Sequence, residues 1–84
     1  MKASKKLIKF YKGIVLEAIT ARLKQSDRYY THTKVDRFLK HTAIGKVISC
    51  NDMTMEELNC VIVEGFQLGD SLGIHLDYPE ELNC

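Results

Sequence analysis

Tryptophan is absent from this sequence of 84 residues, which contains one proline and three cysteines. A single proline argues against a proline-rich linker or recognition module. No uninterrupted apolar run approaches the roughly 20 residues that a membrane-spanning helix needs. The cysteines are odd in number and widely spaced, whereas a disulfide framework in a short secreted chain usually has an even number at close spacing. We therefore expect a cytoplasmic protein with free thiols and no membrane segment.

Basic residues are absent from the second half of the chain. All twelve Lys and Arg residues lie at or before Lys46, and residues 1–46 carry only three acids, so this half has a charge of +9. Residues 47–84 contain eight acids and no Lys or Arg, which gives a charge of −8. Three explanations stay open: the basic half binds nucleic acid, the acidic half binds a basic partner, or the two halves attract each other.

Three segments repeat apolar residues at intervals of three and four, which is typical of a helix with one buried face. They cover residues 4–25, 33–43 and 54–72. The third segment has the clearest start, a capping box formed by Thr54 and Glu57, and Thr33 with Asp36 forms a similar start for the second. The other expected caps are Ser4, Gly45 and Gly73. The sequence predicts a single all-α domain over residues 1–84, a small three-helix bundle.

The same periodicity assigns faces to the helices. The buried stripe of the first helix is centred on Leu7, Tyr11, Ile14, Ala18 and Ala21, with Val15 and Ile19 widening it. The second helix has an apolar face of Val35, Phe38, Leu39 and Ile44, and an opposite face of Lys34, Arg37, Lys40 and His41.

The third helix combines apolar residues, among which Cys60 is expected to be buried, with two glycines. Gly65 and Gly69 leave a strip without side chains, where another helix could approach closely, so a homodimer is one partner that we consider. After the third helix, residues 74–79 alternate between apolar and polar. We expect this short C-terminal extension to fold back over the bundle.

The C-terminal half resembles a module of small phage and prophage proteins. The residues concerned are Ser49-Cys50-Asn51-Asp52-Met53-Thr54-Met55-Glu56-Glu57-Leu58, Ile62, Leu72-Gly73-Ile74 and Tyr78-Pro79-Glu80. A similar pattern ends NinB-like recombination proteins, and a related arrangement occurs in GemA-like phage regulators. The match covers roughly residues 34–81. It implies a phage-type accessory protein of DNA metabolism in the host cell cytoplasm, which contacts DNA or a replication or recombination protein.

Neither a metal site nor a catalytic site is indicated by the spacing of the reactive residues. The sequence has three histidines and three cysteines but no Cys-x-x-Cys or His-x-x-x-His pair of the kind that structural zinc sites use. No glycine-rich phosphate loop lies between a strand and a helix, and Cys50 has no local signature of a catalytic nucleophile. We therefore expect no metal, no cofactor and no enzymatic activity.

The strongest functional pattern lies in the basic half, where cations accompany aromatic residues. The candidate residues are Arg28, Tyr29, Tyr30, Lys34, Arg37 and Lys40. Phosphates need positive charge and unstacked bases need flat apolar surfaces, so this combination is typical of binding to a single-stranded nucleic acid such as single-stranded DNA. The alternative is that both tyrosines pack on the bundle and the lysines are merely solvated.

A function of another class is indicated by the acidic half. Its candidate residues, all on the third helix, are Glu56, Glu57, Glu64 and Asp70. They would present negative charge to a host or phage protein as a surrogate for nucleic acid. On this interpretation the chain is a protein-binding modulator, such as a phage-encoded inhibitor of a host or defence protein.

Overall fold

A computed structural model describes residues 1–79 of the chain and contains three helices. Helix α1 is continuous and has three parts, which are Lys5–Phe10, the π-helical turn Tyr11–Val15 and Leu16–Lys24. Helix α2 is His32–Ile44 and helix α3 is Met55–Ser71. Each helix packs against the other two, and a 3₁₀ turn, Cys50–Asp52, lies in the connection between α2 and α3. The predicted all-α three-helix bundle is confirmed.

The core lies where the three helices meet. α1 contributes the largest share of buried apolar side chains, namely Leu7, Phe10, Tyr11, Val15, Leu16 and Ile19. The other buried apolar side chains are Val35 and Leu39 of α2, Leu58, Val61 and Ile62 of α3, and Cys50 and Met53 of the connection. Burial of apolar surface contributes about 25 cal/mol per Å², so this cluster is the main source of stability.

The π-helical turn shifts the buried stripe of α1 by one residue. The Leu16 N–H donates to the Tyr11 carbonyl, five residues back, so the turn contains one residue more than a regular helical turn. After it, Val15 and Ile19 are fully buried, whereas Ile14 is 49% exposed. The predicted central position of Ile14 in the stripe is therefore wrong, because the sequence pattern was read with the period of a regular helix.

Most of the predicted caps are present. The Ser4 side chain accepts from the Leu7 N–H, and both hydrogen bonds of the Thr54–Glu57 capping box are formed. The predicted cap at Thr33 is wrong, since Thr31 is the N-cap of α2 and its Oγ1 accepts from the Lys34 N–H at 3.2 Å. Thr31 fits this role because its backbone is extended, whereas Thr33 already lies within the first turn.

The glycine strip of α3 is covered by this chain itself. A Cβ atom at Gly65 would lie 2.6 Å from Val15 Cγ1, so the missing side chain is what allows α1 to pack there. At Gly69 the nearest atoms belong to the extension, with the Ile74 carbonyl oxygen at 3.3 Å. The glycine strip therefore allows close packing within one molecule. It is not available to a second copy of the chain, so the homodimer stays a prediction that this surface does not support.

The extension folds back over the bundle, as predicted for residues 74–79. Leu76 and Tyr78 pack against the core, and the side chains at 75 and 77 are exposed. The Tyr78 ring lies 5.6 Å from the Phe10 ring and 5.1 Å from the Phe66 ring, and its hydroxyl lies 3.1 Å from Asn59 Oδ1. Glu80, the last residue of the phage-like pattern, lies outside the described residues.

Three further side chains are placed differently from their predictions. Phe38, assigned to the apolar face of α2, is 56% exposed, and Cys60, assigned to the core, is exposed. Lys40, assigned to the solvated face, is buried at 5% exposure. The buried apolar side chains of α2 are Val35 and Leu39, with Ala43 and Ile44 partly buried against the core, so Phe38 lies at the edge of this stripe.

Candidate nucleic-acid interface

The two tyrosines predicted to stack on bases lie in the turn between α1 and α2. Tyr29 is 77% exposed and Tyr30 is 38% exposed, so the alternative in which both pack on the bundle is excluded. Asp27 shapes this turn, since its carboxylate accepts from the Tyr29 N–H at 2.9 Å and its carbonyl accepts from the Tyr30 N–H at 3.3 Å. The backbone is thereby held in a conformation that projects Tyr29 into solvent.

Lys34 connects this turn to the first turn of α2. Its Nζ donates to the Tyr29 carbonyl at 3.0 Å, so the ammonium group is held beside the exposed tyrosine. An ammonium group has three N–H donors, and two remain for a phosphate oxygen. Arg28 and Arg37 are both exposed. Three of the predicted cations, Arg28, Lys34 and Arg37, are therefore exposed to solvent and lie within seven residues of Tyr30 in the sequence.

A groove beside the turn adds an aromatic residue that the sequence analysis assigned to the core. The groove has a volume of about 190 Å³ and is lined by Leu23, Tyr30, Lys34, Val35, Phe38 and Leu68. Phe38 lies one helical turn after Lys34, so the two side chains are neighbours on α2. The signal that could have identified Phe38 is its position between Lys34 and Arg37 on one side of the helix and Val35 on the other.

Lys40 does not belong to this surface. Its Nζ forms an ion pair with Asp36 Oδ2 at 3.0 Å, and Asp36 Oδ1 accepts from the Tyr11 hydroxyl at 2.6 Å. Burial, together with the neighbouring Asp36 carboxylate, raises the pKa of Tyr11 far above its ordinary value, so the phenol stays a donor. The predicted role of Lys40 as a phosphate contact of this surface is wrong, because its charge is buried and already neutralised.

The four acids of the alternative function do not form one surface. Glu56 and Asp70 are exposed and lie fourteen residues apart on α3, whereas Glu64 is partly buried beside α2 in a recess that Ala43 also lines. Glu57 is engaged by the Thr54 backbone N–H and by Lys46 Nζ at 2.9 Å. These hydrogen bonds hold the pKa of Glu57 below its ordinary value, the Thr54 bond most strongly. The acidic modulator stays a prediction, with fewer free charges than expected.

The segregated charges are largely left for solvent or for a partner. Within residues 1–79, the ion pair between Lys46 and Glu57 joins the basic half to the acidic half. The other two ion pairs, His32 with Glu17 and Lys40 with Asp36, lie within the basic half. Among the described residues, ion pairing between the two halves of one molecule therefore neutralises few of the segregated charges.

Comparison with known proteins yields no match among family models, curated proteins or solved structures. In the part of the chain that the structure describes, no helix is long and apolar enough to cross a membrane. The same residues contain no group of three or more His, Cys, Asp or Glu side chains placed to hold a metal ion. The resemblance to phage proteins stays a prediction.

Proposed function

We propose that this protein binds single-stranded nucleic acid and acts, without catalysis, as a small accessory protein of phage-type DNA metabolism. The binding residues form an aromatic–basic surface, which consists of Arg28, Tyr29, Tyr30, Lys34, Arg37 and Phe38. The observation that carries the proposal is the exposure of three aromatic rings on one side of the molecule, Tyr29 at 77%, Phe38 at 56% and Tyr30 at 38%, the last two lining one groove. The position of Tyr29 beside the Lys34 ammonium group adds the charge that a phosphate requires.

The chemistry of this surface suits an unpaired strand better than a duplex. Tyr29 offers a ring face to an unstacked base, and the groove beside Tyr30 and Phe38 has apolar walls that could take a second base. In a duplex the bases are stacked on one another and their faces are unavailable. The cations at Arg28, Lys34 and Arg37 would contact the backbone phosphates.

The test is binding of a fluorescent single-stranded oligonucleotide at low salt, followed by polarisation. Stacking is worth about 1–3 kcal/mol per base, so Tyr29→Ala and Phe38→Ala should each weaken binding roughly five- to hundredfold. Both side chains are largely exposed, so neither change threatens the fold. The matched control is Val63→Ala, which truncates an exposed apolar side chain on α3 and should leave affinity unchanged.

Two results would contradict the proposal. One is the absence of oligonucleotide binding by the parent protein at low salt. The other is equal affinity of the parent and of a Tyr29→Ala, Phe38→Ala double variant, since binding would then depend on charge elsewhere on the molecule. A duplex of the same sequence serves as a competitor, and it should compete less well than the single strand.

A further inference from the structure

A second concave site lies between α1, α2 and the connection to α3. This cleft has a volume of about 380 Å³, within the range of sites that bind small molecules. It is lined by Lys12, Leu16, His32, Thr33, Asp36, Lys40, Ser49 and Cys50, and it shares no residue with the aromatic–basic surface. The two sites are therefore formed by different residues, so ligand binding at each can be tested with separate substitutions.

Costly structural features converge on one wall of the cleft. The π-helical turn of α1 places Tyr11 where its hydroxyl donates to Asp36, and Asp36 in turn pairs with the buried Lys40. Buried ion pairs contribute little to stability, because the loss of hydration offsets the attraction between the charges. Short π-helical segments are frequent at functional sites. Together these features indicate that stability alone does not explain the Tyr11, Asp36 and Lys40 side chains beside this cleft.

The cleft has more hydrogen-bond donors than acceptors. Both carboxylate oxygens of Asp36 are already occupied, by Tyr11 and by Lys40. Among residues 1–79, Lys12 forms neither an ion pair nor a side-chain hydrogen bond, and the hydroxyl groups of Thr33 and Ser49 donate to no protein acceptor. Lys40 uses one N–H donor on Asp36 and a second lies within hydrogen-bond reach of the Cys50 sulfur, which leaves a third for a ligand.

The charge balance of the lining is also positive. Asp36 is the acid that lines the cleft, and the Lys40 charge compensates it, which leaves the Lys12 charge in excess. His32 lies at the margin, with its Nε2 2.7 Å from Glu17 Oε2, and the Cys50 thiol lies on the floor. Burial raises the pKa of the Cys50 thiol, so this group adds no negative charge at neutral pH.

We propose that this cleft binds a phosphomonoester, with the Lys12 ammonium group supplying the excess positive charge and the Lys40 ammonium group, the Thr33 hydroxyl and the Ser49 hydroxyl donating to its oxygens. A phosphomonoester carries about −1.5 to −2 charges at neutral pH and has three strong acceptor oxygens. A carboxylate has two acceptor oxygens rather than three, which would leave part of this donor set unused. The phosphate belongs either to a free nucleotide or to the phosphorylated end of a nucleic-acid strand.

Backbone amide NMR signals of the intact chain test the site directly. Inorganic phosphate, followed by a nucleoside 5′-monophosphate, should shift the signals of Lys12, Thr33, Ser49 and Cys50 in a saturable way. Because a hydrogen bond to a charged group is strong, Lys12→Gln should weaken phosphate binding about tenfold, and Thr33→Val should weaken it severalfold. The matched control is Lys9→Gln, which removes an exposed lysine of the same helix outside the cleft.

The source of the phosphate is distinguished by oligonucleotides with a 5′-phosphate or a 5′-hydroxyl end. If the strand end is the ligand, the 5′-phosphate should strengthen binding by about fivefold or more, and Lys12→Gln should abolish this gain. If a free nucleotide is the ligand, the monophosphate should bind and the two oligonucleotides should bind equally.

The proposal is overturned by unchanged phosphate affinity in Lys12→Gln, by shifts confined to other regions, or by no shift up to about 10 mM phosphate. Its failure is distinguishable from failure of the proposed function. Tyr29→Ala should weaken binding of the 5′-hydroxyl oligonucleotide and leave the affinity for inorganic phosphate unchanged.

Discussion

At the scale of single residues, Gly65 shows how little free space the bundle has. An added Cβ would lie 2.6 Å from Val15 Cγ1, and a valine in a helix has essentially one rotamer, so it cannot turn aside. We expect Gly65→Ala to lower the free energy of unfolding by about 1–3 kcal/mol, although alanine is intrinsically the better helix former. Urea denaturation measures this difference.

A matched control is available on α1. Gly13 has no atom within 4 Å of an added Cβ, so Gly13→Ala should leave stability unchanged or raise it by up to about 1 kcal/mol. Combining Gly65→Ala with Val15→Ala should cost less than the sum of the two separate changes, because the clash has been removed. Equal effects of the two glycine substitutions would show that α1 does not pack closely on Gly65.

The two described cysteines should differ strongly in reactivity. Cys60 is exposed, whereas Cys50 is buried and its pKa is raised by that burial. The thiolate is the reactive form, so both access and ionisation protect Cys50. In a Cys84→Ser variant, which keeps only the Cys50 and Cys60 thiols, one thiol should react quickly with a disulfide reagent in the native state. The second should react only after unfolding, and rapid reaction of both would contradict the burial of Cys50.

At the scale of elements, the start of α3 is held by charge as well as by hydrogen bonds. The Glu57 carboxylate accepts from the Thr54 N–H at 2.9 Å and pairs with Lys46 in the preceding connection. The pKa of Glu57 is lowered in the folded state, mainly by the Thr54 bond. A carboxyl group whose pKa is lower in the folded state than in the unfolded state stabilises the fold at pH values above its unfolded pKa, which is about 4.3 for glutamate. This stability is lost as the pH falls through the folded pKa.

We therefore expect Glu57→Gln to be less stable than the parent at pH 7 and to approach it at about pH 3. Glutamine keeps an oxygen for the capping box but loses the charge, so the difference isolates the ionised form. Denaturation midpoints at the two pH values measure it. Glu56→Gln is the control. The Glu56 side chain forms no hydrogen bond or ion pair among residues 1–79, so its substitution should change the free energy of unfolding less. A stability difference between Glu57→Gln and the parent that is independent of pH would contradict the role of the ionised Glu57 carboxylate.

At the scale of the whole molecule, the placement of the cations determines how binding should depend on salt. Each neutralised phosphate of a single strand releases counterions and contributes about −0.7 to the slope of log affinity against log salt concentration. With Arg28, Lys34 and Arg37 engaged and Lys40 buried, we expect a slope near −2.

Charge and stacking should affect this titration differently. Arg37→Gln should make the slope shallower by about 0.7, whereas Tyr29→Ala should lower affinity at every salt concentration and leave the slope unchanged, because stacking releases no ions. Oligonucleotide affinity measured over a series of salt concentrations distinguishes the two. A slope that is the same in the parent and in Arg37→Gln would remove Arg37 from the interface.

Much of the fold was determined by local signals in the sequence. The predicted helix at residues 4–25 is observed over residues 5–24, and the third helix begins at the capping box identified from Thr54 and Glu57. Gly45 and Gly73 have the positive φ angles, 73° and 82°, that favour glycine after a helix. Periodicity and capping involve residues within one turn of each other, so they can be read without knowledge of the neighbouring helices.

The candidate site was predicted only in part. The sequence brought Arg28, Tyr29 and Tyr30 together, because neighbours in a short turn stay close in any fold. Whether the two rings are exposed depends on the space left between α1 and α2, which no local pattern reports. The burial of two α2 residues was mispredicted for the same reason. Phe38, expected in the core, is exposed, and Lys40, expected on the surface, is buried, since the elements packed against a helix determine which of its residues are covered.

The sequence by itself determined the helical class, the helix boundaries and the separation of charge along the chain. Only the tertiary structure decided which side chains are buried and which are exposed at the proposed binding surface. The π-helical turn moves Val15 into the space left by Gly65 and places Tyr11 against Asp36, and that contact anchors the pair formed with Lys40. The contacts of Val15 with Gly65 and of Tyr11 with Asp36 join residues more than twenty positions apart. They depend on how three helices fill a common core, and packing of that kind leaves no signal within any one segment.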